Sequence, residues 1–483
     1  MKSNLEFFHV LEKIILRGKK INKSILTENE AKEYALKRKK IIYQKPKEHI
    51  LSKSLMDKCY NLFLSFKPSR HIYNSSQRRT VKLIRQETVA NILMGLQARY
   101  ASIEIYNKVY RESKMQEKTL SIIGSSRELF YHNGAYLKNI KKAKVQFEDC
   151  ALEIEKLKYE VQAEWYYVEI GYHLKTEGTA AINFKEQGKH YLEILKNIPQ
   201  KYKSSRFYTH YYLLSKAVFE FSHEYEELVE ILLDGIEMYD KNYPNKIFQR
   251  MLLRHSLITY AIKTEKFDLC KMYLDQSLEM SPKHNKSWLR GMELQTIFLI
   301  RTNKIQQAIG SINTLSESKL YKNISREYKL RIELLNNYLL VYSKFLKFSS
   351  SKNKEVKLGK YLNSIPEYNA DKKAMNIPII VLQILYYILK KDDNKLEERF
   401  DAVNKYLSRY LKSDNFYRSH CFIRMLLQVH RQNFHSVAIE RHTKKITDKL
   451  SLVSLKDSKE PLEIEIIRYE DLWESVLKYC GKS

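Results

Sequence analysis

The stretch MLLRHSLITYAIKTEKFDLCKMYLDQSLEMSP, residues 251–282, decides how the rest of the chain is read. Apolar residues recur three and four apart on both sides of a short polar joint, KTEK at 263–266, and Pro282 closes the run. That spacing gives each of two helices one apolar face, and so short a joint turns the second helix back on the first. Cys270, three residues after Phe267, then stands early in the second helix, where it presses against the first. The spacing predicts a buried, unreactive packing residue there.

The same arrangement recurs along the chain. HEYEEL, EKFDLC, NKIQQA and QNFHSV each carry a polar turn, an aromatic or apolar residue, and a second apolar or small residue three positions on. The pairs are Tyr225 and Leu228, Phe267 and Cys270, Ile305 and Ala308, and Phe434 and Val437. The first three second members lie 42 and 38 residues apart, about one helical hairpin. Pro199, Pro244 and Pro282, 45 and 38 residues apart, end apolar runs at the same interval. Upstream, Thr27 and Glu30 make a capping box that starts a helix near Glu28, and Arg127 to about Thr176 reads as helix with at most one break near Asn133 and Gly134.

With these residues in place, the chain resembles the tetratricopeptide family and its degenerate relatives. Residues 251–282 supply Leu257, Phe267, Cys270 in the small-residue place, Leu274, Ser277 and the closing Pro282, although Ile258 stands where glycine is usual. YVEIGYHL at 167–174 supplies Tyr167, Ile170, Gly171 and Leu174, and residues 289–315 keep Ala308 and Ile312. The likeness covers about 163–317 and, more thinly, about 378–452. It implies an all-α fold, an α-solenoid of stacked antiparallel hairpins with a right-handed superhelix, and a binding rather than a catalytic role.

Composition agrees with a helical array. Only 12 glycines and 8 prolines punctuate 483 residues, of which 44% are hydrophobic and 29% charged. The formal charge is +29, and residues 1–100 hold 22 Lys and Arg against 8 Asp and Glu, a local excess of +14. Such a field attracts phosphates, anionic lipid or acidic proteins without choosing among them, and a Lys-, Ile-, Asn- and Tyr-rich chain is also what a gene of low G+C content encodes. Five scattered cysteines, Cys59, Cys150, Cys270, Cys421 and Cys480, form no CxxC pair and read as reduced thiols. Glu6 and Glu12 interrupt the apolar residues of the N-terminal stretch, and the longest apolar run, IPIIVLQILYYIL at 377–389, is too short to span a bilayer and contains Gln383. A cytoplasmic protein is the expectation.

No phosphate-binding glycine loop, nucleophile elbow, HExxH or dinucleotide fingerprint is present, so neither a catalytic residue nor a cofactor or metal ligand is assigned. His420, His430, His435 and His442 are ten, five and seven apart, intervals that do not gather ligands on one helical face, and they read as structural. The acidic run EIEIIRYEDLWE, with Glu463, Glu465, Glu470, Asp471 and Glu474, leads into Leu472, Trp473, Val476 and Leu477, which predict a last amphipathic helix covering the end of the array. Its acidic face would dock on the basic protein itself. The partner-binding candidates are Lys37, Arg38, Lys39 and Lys40, and the stripe Arg78, Lys82 and Arg85, with Val81, Ile84 and Ile92 turned to the core. Tyrosines in AEWYYVEIGYHL and RFYTHYYLLSK could stack on bases but suit hairpin packing better.

The expected organisation is a basic helical region at 1–125, a hairpin array at 126–345, an exposed loop at 346–370, and C-terminal hairpins with a capping helix at 371–483. The expected function is a non-enzymatic scaffold or adaptor for an acidic protein or peptide. The alternative is a basic nucleic-acid-binding helical-repeat protein, RNA-associated or regulatory; a peptide-sensing regulator would add a helix-turn-helix that residues 1–70 do not display.

Overall fold

The computed structural model describes residues 75–176, 182–283, 285–347, 373–410 and 416–481. Among them there is no strand, and the chain falls into two compact units, Met1–Cys150 and Ala151–Ser483. In the first unit, α1 (Ser75–Gly95), α2 (Arg99–Gln116) and α3 (Thr119–Tyr131) pack in succession, and a π-helical turn, His132–Tyr136, precedes α4 (Ile140–Thr176), which belongs to the second unit from Ala151 on. The predicted break near Asn133 is this turn. The Asn133 side chain fixes it by donating to the Leu129 carbonyl (2.8 Å) and to Gln146 Oε1 (2.9 Å).

The second unit continues from α4 with α5 (Ile182–Lys196), α6 (Ser205–Phe221), α7 (Tyr225–Asn242), α8 (Ile247–Lys263), α9 (Phe267–Met280), α10 (Lys286–Arg301) and α11 (Ile305–Glu317). Then come α12 (Arg326–Phe345), α13 (Lys373–Lys390), α14 (Asp393–Tyr410), α15 (Tyr417–Arg431), α16 (Ser436–Ser451) and α17 (Tyr469–Cys480). From α5 onward each helix packs on the next as far as α16, and α8 also meets α10, as α13 meets α15.

The turns inside the hairpins share one design. After α6, α8 and α10 the chain passes through His223, Glu265 and Asn303 at φ 58°, 59° and 57°. Each is followed by a residue whose N–H bonds to the carbonyl five residues back: Glu224 to Phe219, Lys266 to Ala261, Lys304 to Leu299. This is the Schellman closure, which usually takes glycine at the left-handed position. Here larger residues bear it, which is why so few glycines suffice. The joints between hairpins are built differently: Ser204, Asn285 and Ser325 cap α6, α10 and α12 by accepting from the N–H groups of Phe207, Trp288 and Tyr328.

Packing follows the predicted pairs with one correction. Tyr225, Leu228, Cys270, Ile305 and Ala308 are buried, as are Leu257 and Ile170, while Phe267 and Tyr167 are half-buried. Burial pushes the Cys270 thiol up to about 12. Val437, however, is 69% exposed. The turn before α16 is one residue longer, with both Asn433 and Phe434 at positive φ, so the helix opens at Ser436 and its inward residue three positions on is Ile439, fully buried. Gly171 is half-exposed, and a Cβ there would meet nothing within 4 Å, so close approach does not explain it. Gly235 is the tight position, where a Cβ would come within 2.8 Å of the Tyr212 ring.

Most of the expected 346–370 loop lies outside the described residues. α12 packs directly on α13, and one apolar cluster runs from Ile258 to Cys480. No described helix is long and apolar enough to cross a membrane.

Candidate functional site

Lys263 and Arg301 are the last residues of α8 and α10, 38 positions apart, and are only 2% and 7% exposed. A cation so placed needs partners, because burial disfavours its charged form. Both find them in one segment, 192 and 197 residues on from Lys263 and 164 from Arg301. Lys263 Nζ donates to the carbonyls of Leu455 (2.9 Å) and Glu460 (2.8 Å), and Arg301 Nη2 donates to the carbonyl of Glu465. Burial nevertheless pushes the Lys263 ammonium down to about 8, against the pull of Glu465.

Two further cations join them. Arg331 of α12 bridges the buried Glu293 (2.5 Å) to Glu463 (3.2 Å). Burial alone would raise the Glu293 carboxyl, but Arg290 and Arg331 hold it below its ordinary value. Arg418, at the start of α15 and 1% exposed, takes Glu465 in a fork, Nε to Oε2 at 2.9 Å and Nη2 to Oε1 at 2.8 Å. It also donates to Glu470 (2.8 Å) and to the Val453 carbonyl (2.5 Å). Beside it, the Ser419 N–H donates to Glu460 (2.8 Å), and the Ser419 hydroxyl bonds to that same carboxylate and to the Tyr469 hydroxyl.

The receiving segment, residues 452–468, is a strap without regular helix between α16 and α17. It buries Leu455, Leu462, Ile464, Ile466 and Ile467, while Lys456, Asp457, Lys459, Pro461 and Arg468 stay exposed. Its carboxylates and carbonyls meet cations from α8, α10, α12 and α15, each the helix that opens after a joint between hairpins. The strip is not fully satisfied: Arg301 Nε and Nη1 are buried without a hydrogen-bond partner among the described residues. Glu460 accepts from Ser419 but no described cation forms an ion pair with it, and its burial raises the carboxyl to about 7. The strap leads into α17, which packs on α12, α15 and α16 through the buried Leu472, Trp473 and Val476 and the partly buried Leu477.

The basic stripe of the first unit is placed differently from its sequence reading. Lys82 Nζ pairs with Glu112 at 2.7 Å, while Arg78 and Arg85 are half-exposed. Leu83 and Ala90 are the buried residues of α1, whereas Ile84 and Ile92 are 53% and 56% exposed, because the helix turns a face about one residue further round towards α2. Lys37, Arg38, Lys39 and Lys40, like the capping box at Thr27, lie outside the described residues. The tyrosine-rich segments serve mainly packing: Tyr166 stacks on Tyr191 at 3.8 Å, Tyr212 is buried, and the Tyr239 hydroxyl donates to the Ser205 carbonyl at 2.6 Å. Trp165 and Tyr172 remain exposed. His430 faces Asp393 at 3.2 Å and His435 caps α16; among the described residues no three His, Cys, Asp or Glu are placed to hold a metal ion.

The sequence reading identified Glu463, Glu465 and Glu470 but not Glu460 or the cations that meet the strap. One signal was available. KTEKF and RTNKI place Lys263 and Arg301 at the same position of successive hairpins, at the same 38-residue interval as Cys270 and Ala308.

Comparison of the chain with protein-family models, with curated proteins and with solved structures finds no match in any of the three.

Proposed function

We propose that the second unit is a non-enzymatic hairpin array of the tetratricopeptide kind, an α-solenoid that binds an acidic segment of a partner protein. The observation that supports this reading is the basic strip: Lys263, Arg301, Arg331 and Arg418, from four different helices, meet one run of chain containing Glu460, Glu463 and Glu465. Lys263, Arg301 and Arg418 address main-chain carbonyls, which any peptide offers. Arg331 and Arg418 address carboxylates, which select acidic sequence. Stacked hairpins supply an extended binding surface, and an electropositive lining makes capture sensitive to salt.

Selection of random dodecapeptides against the purified chain tests this. The retained peptides are expected to be enriched in Asp and Glu, with affinity falling several-fold between about 0.05 and 0.3 M salt. Retention of basic or purely apolar peptides, or of oligonucleotides in preference to acidic peptides, would overturn the reading.

A further inference from the structure

We infer that the strap is an intramolecular stand-in for the partner, a latch that an incoming acidic segment must displace from the basic strip. This rests on the function proposed above and adds its regulation and a sequence class for the ligand.

Three observations carry the inference. First, the strap is held as a bound peptide would be. Lys263 and Arg301 hold the carbonyls of Leu455, Glu460 and Glu465, while Arg331 and Arg418 hold the carboxylates of Glu463 and Glu465. The ligand class follows from that register: a segment turned at its centre, as the Ile464 N–H bond to the Pro461 carbonyl turns EPLEIE at 460–465, with carboxylates three and two residues apart and apolar residues between them. Second, the fit is incomplete. Arg301 keeps two buried donors without a partner among the described residues, and the buried carboxylate of Glu460 is answered only by Ser419. Incompletely satisfied buried charge costs more than a packed apolar contact, so a permanent clamp would be better built from hydrocarbon. A ligand that also engaged Arg301 would compete well. Third, the strap is not helical and carries Lys456, Asp457 and Lys459 exposed, so its displacement uncovers Leu462, Ile464, Ile466 and Ile467 but unwinds no helix.

A tethered occupant lowers the apparent affinity of a free one by the fraction of time the site is open. The probe is a fluorescein-labelled peptide of residues 454–468, SLKDSKEPLEIEIIR, followed by anisotropy. It is titrated into three forms of the full chain: wild type, Glu463→Ala, and a form with a specific protease site inserted between the exposed Lys456 and Asp457 and cut after folding. Loosening the latch is expected to tighten binding about tenfold or more in the last two forms. Addition of excess peptide should strip hydrogen-exchange protection from strap amides in wild type, and Arg418→Ala should abolish binding in the cut form. Equal affinity for all three forms, with strap protection unchanged, would overturn the latch and leave the acidic-peptide function standing. Absence of binding to every form, the cut one included, would remove both.

Discussion

A carboxylic acid buried without a cation in an ion pair announces itself through pH. Glu460 has its carboxyl raised from 4.5 to about 7, with burial the main cause, so the folded chain holds this proton more tightly than the unfolded one. The sign follows: stability from this group is fully present below about 4.5 and is lost as pH rises through about 7. Glu460→Gln should therefore melt close to wild type at pH 5 and increasingly above it towards pH 8, by at most about 3 kcal/mol. A difference that does not change with pH would show that Glu460 is hydrated or paired in solution. The residue scale is also where sequence reading was strongest and weakest. Cys270 was legible because a three-residue spacing from Phe267 and its neighbours' Leu228 and Ala308 fix one inward position. Lys263 and Arg301 were not, because a lysine or arginine ending a helix is ordinarily a solvated charge near the helix dipole, and only a contact 192 or 164 residues away turns it into a buried donor.

At the scale of elements, the hairpin turns set both what could be read and what can be improved. Helix ends usually advertise themselves by glycine, and these place His223, Glu265 and Asn303 in the left-handed conformation, at a cost of about 1 kcal/mol each. Glu265→Gly, at an exposed position, is expected to stabilise the chain by about 0.5–1 kcal/mol, seen as a higher urea midpoint; a lower midpoint would mean that the Glu265 side chain holds the turn. Existence and pairing of the hairpins were legible through apolar periodicity and the prolines. Register was less so, since QNFHS resembles EKFD while adding one residue, and a single residue rotates a helix by about 100° and carries Val437 out of the core. The Ser and Asn caps at 204, 285 and 325, each followed three residues later by an aromatic, were a usable signal for the other joints.

On the scale of the whole second unit, the strap and α17 share one apolar core with the hairpins. Leu462, Ile464, Ile466, Ile467, Leu472, Trp473 and Val476 belong to the same apolar cluster as α8 to α16. Removal of residues 461–483 should expose that surface, lower the midpoint and broaden the thermal transition; an unchanged melt would show that the hairpins are complete without them. Periodicity could anticipate an amphipathic last helix, yet not that it reaches back to α12, because nothing local encodes a contact made across so long an interval. That interval also has a consequence in time. Lys263 waits for residues 192 and 197 positions downstream, so at about 5–20 residues per second a nascent chain carries a folded hairpin with an unanswered cation for roughly 10–40 seconds. During that interval on the ribosome the strip is open to any polyanion nearby, the surrounding RNA included, until the strap emerges to shut it.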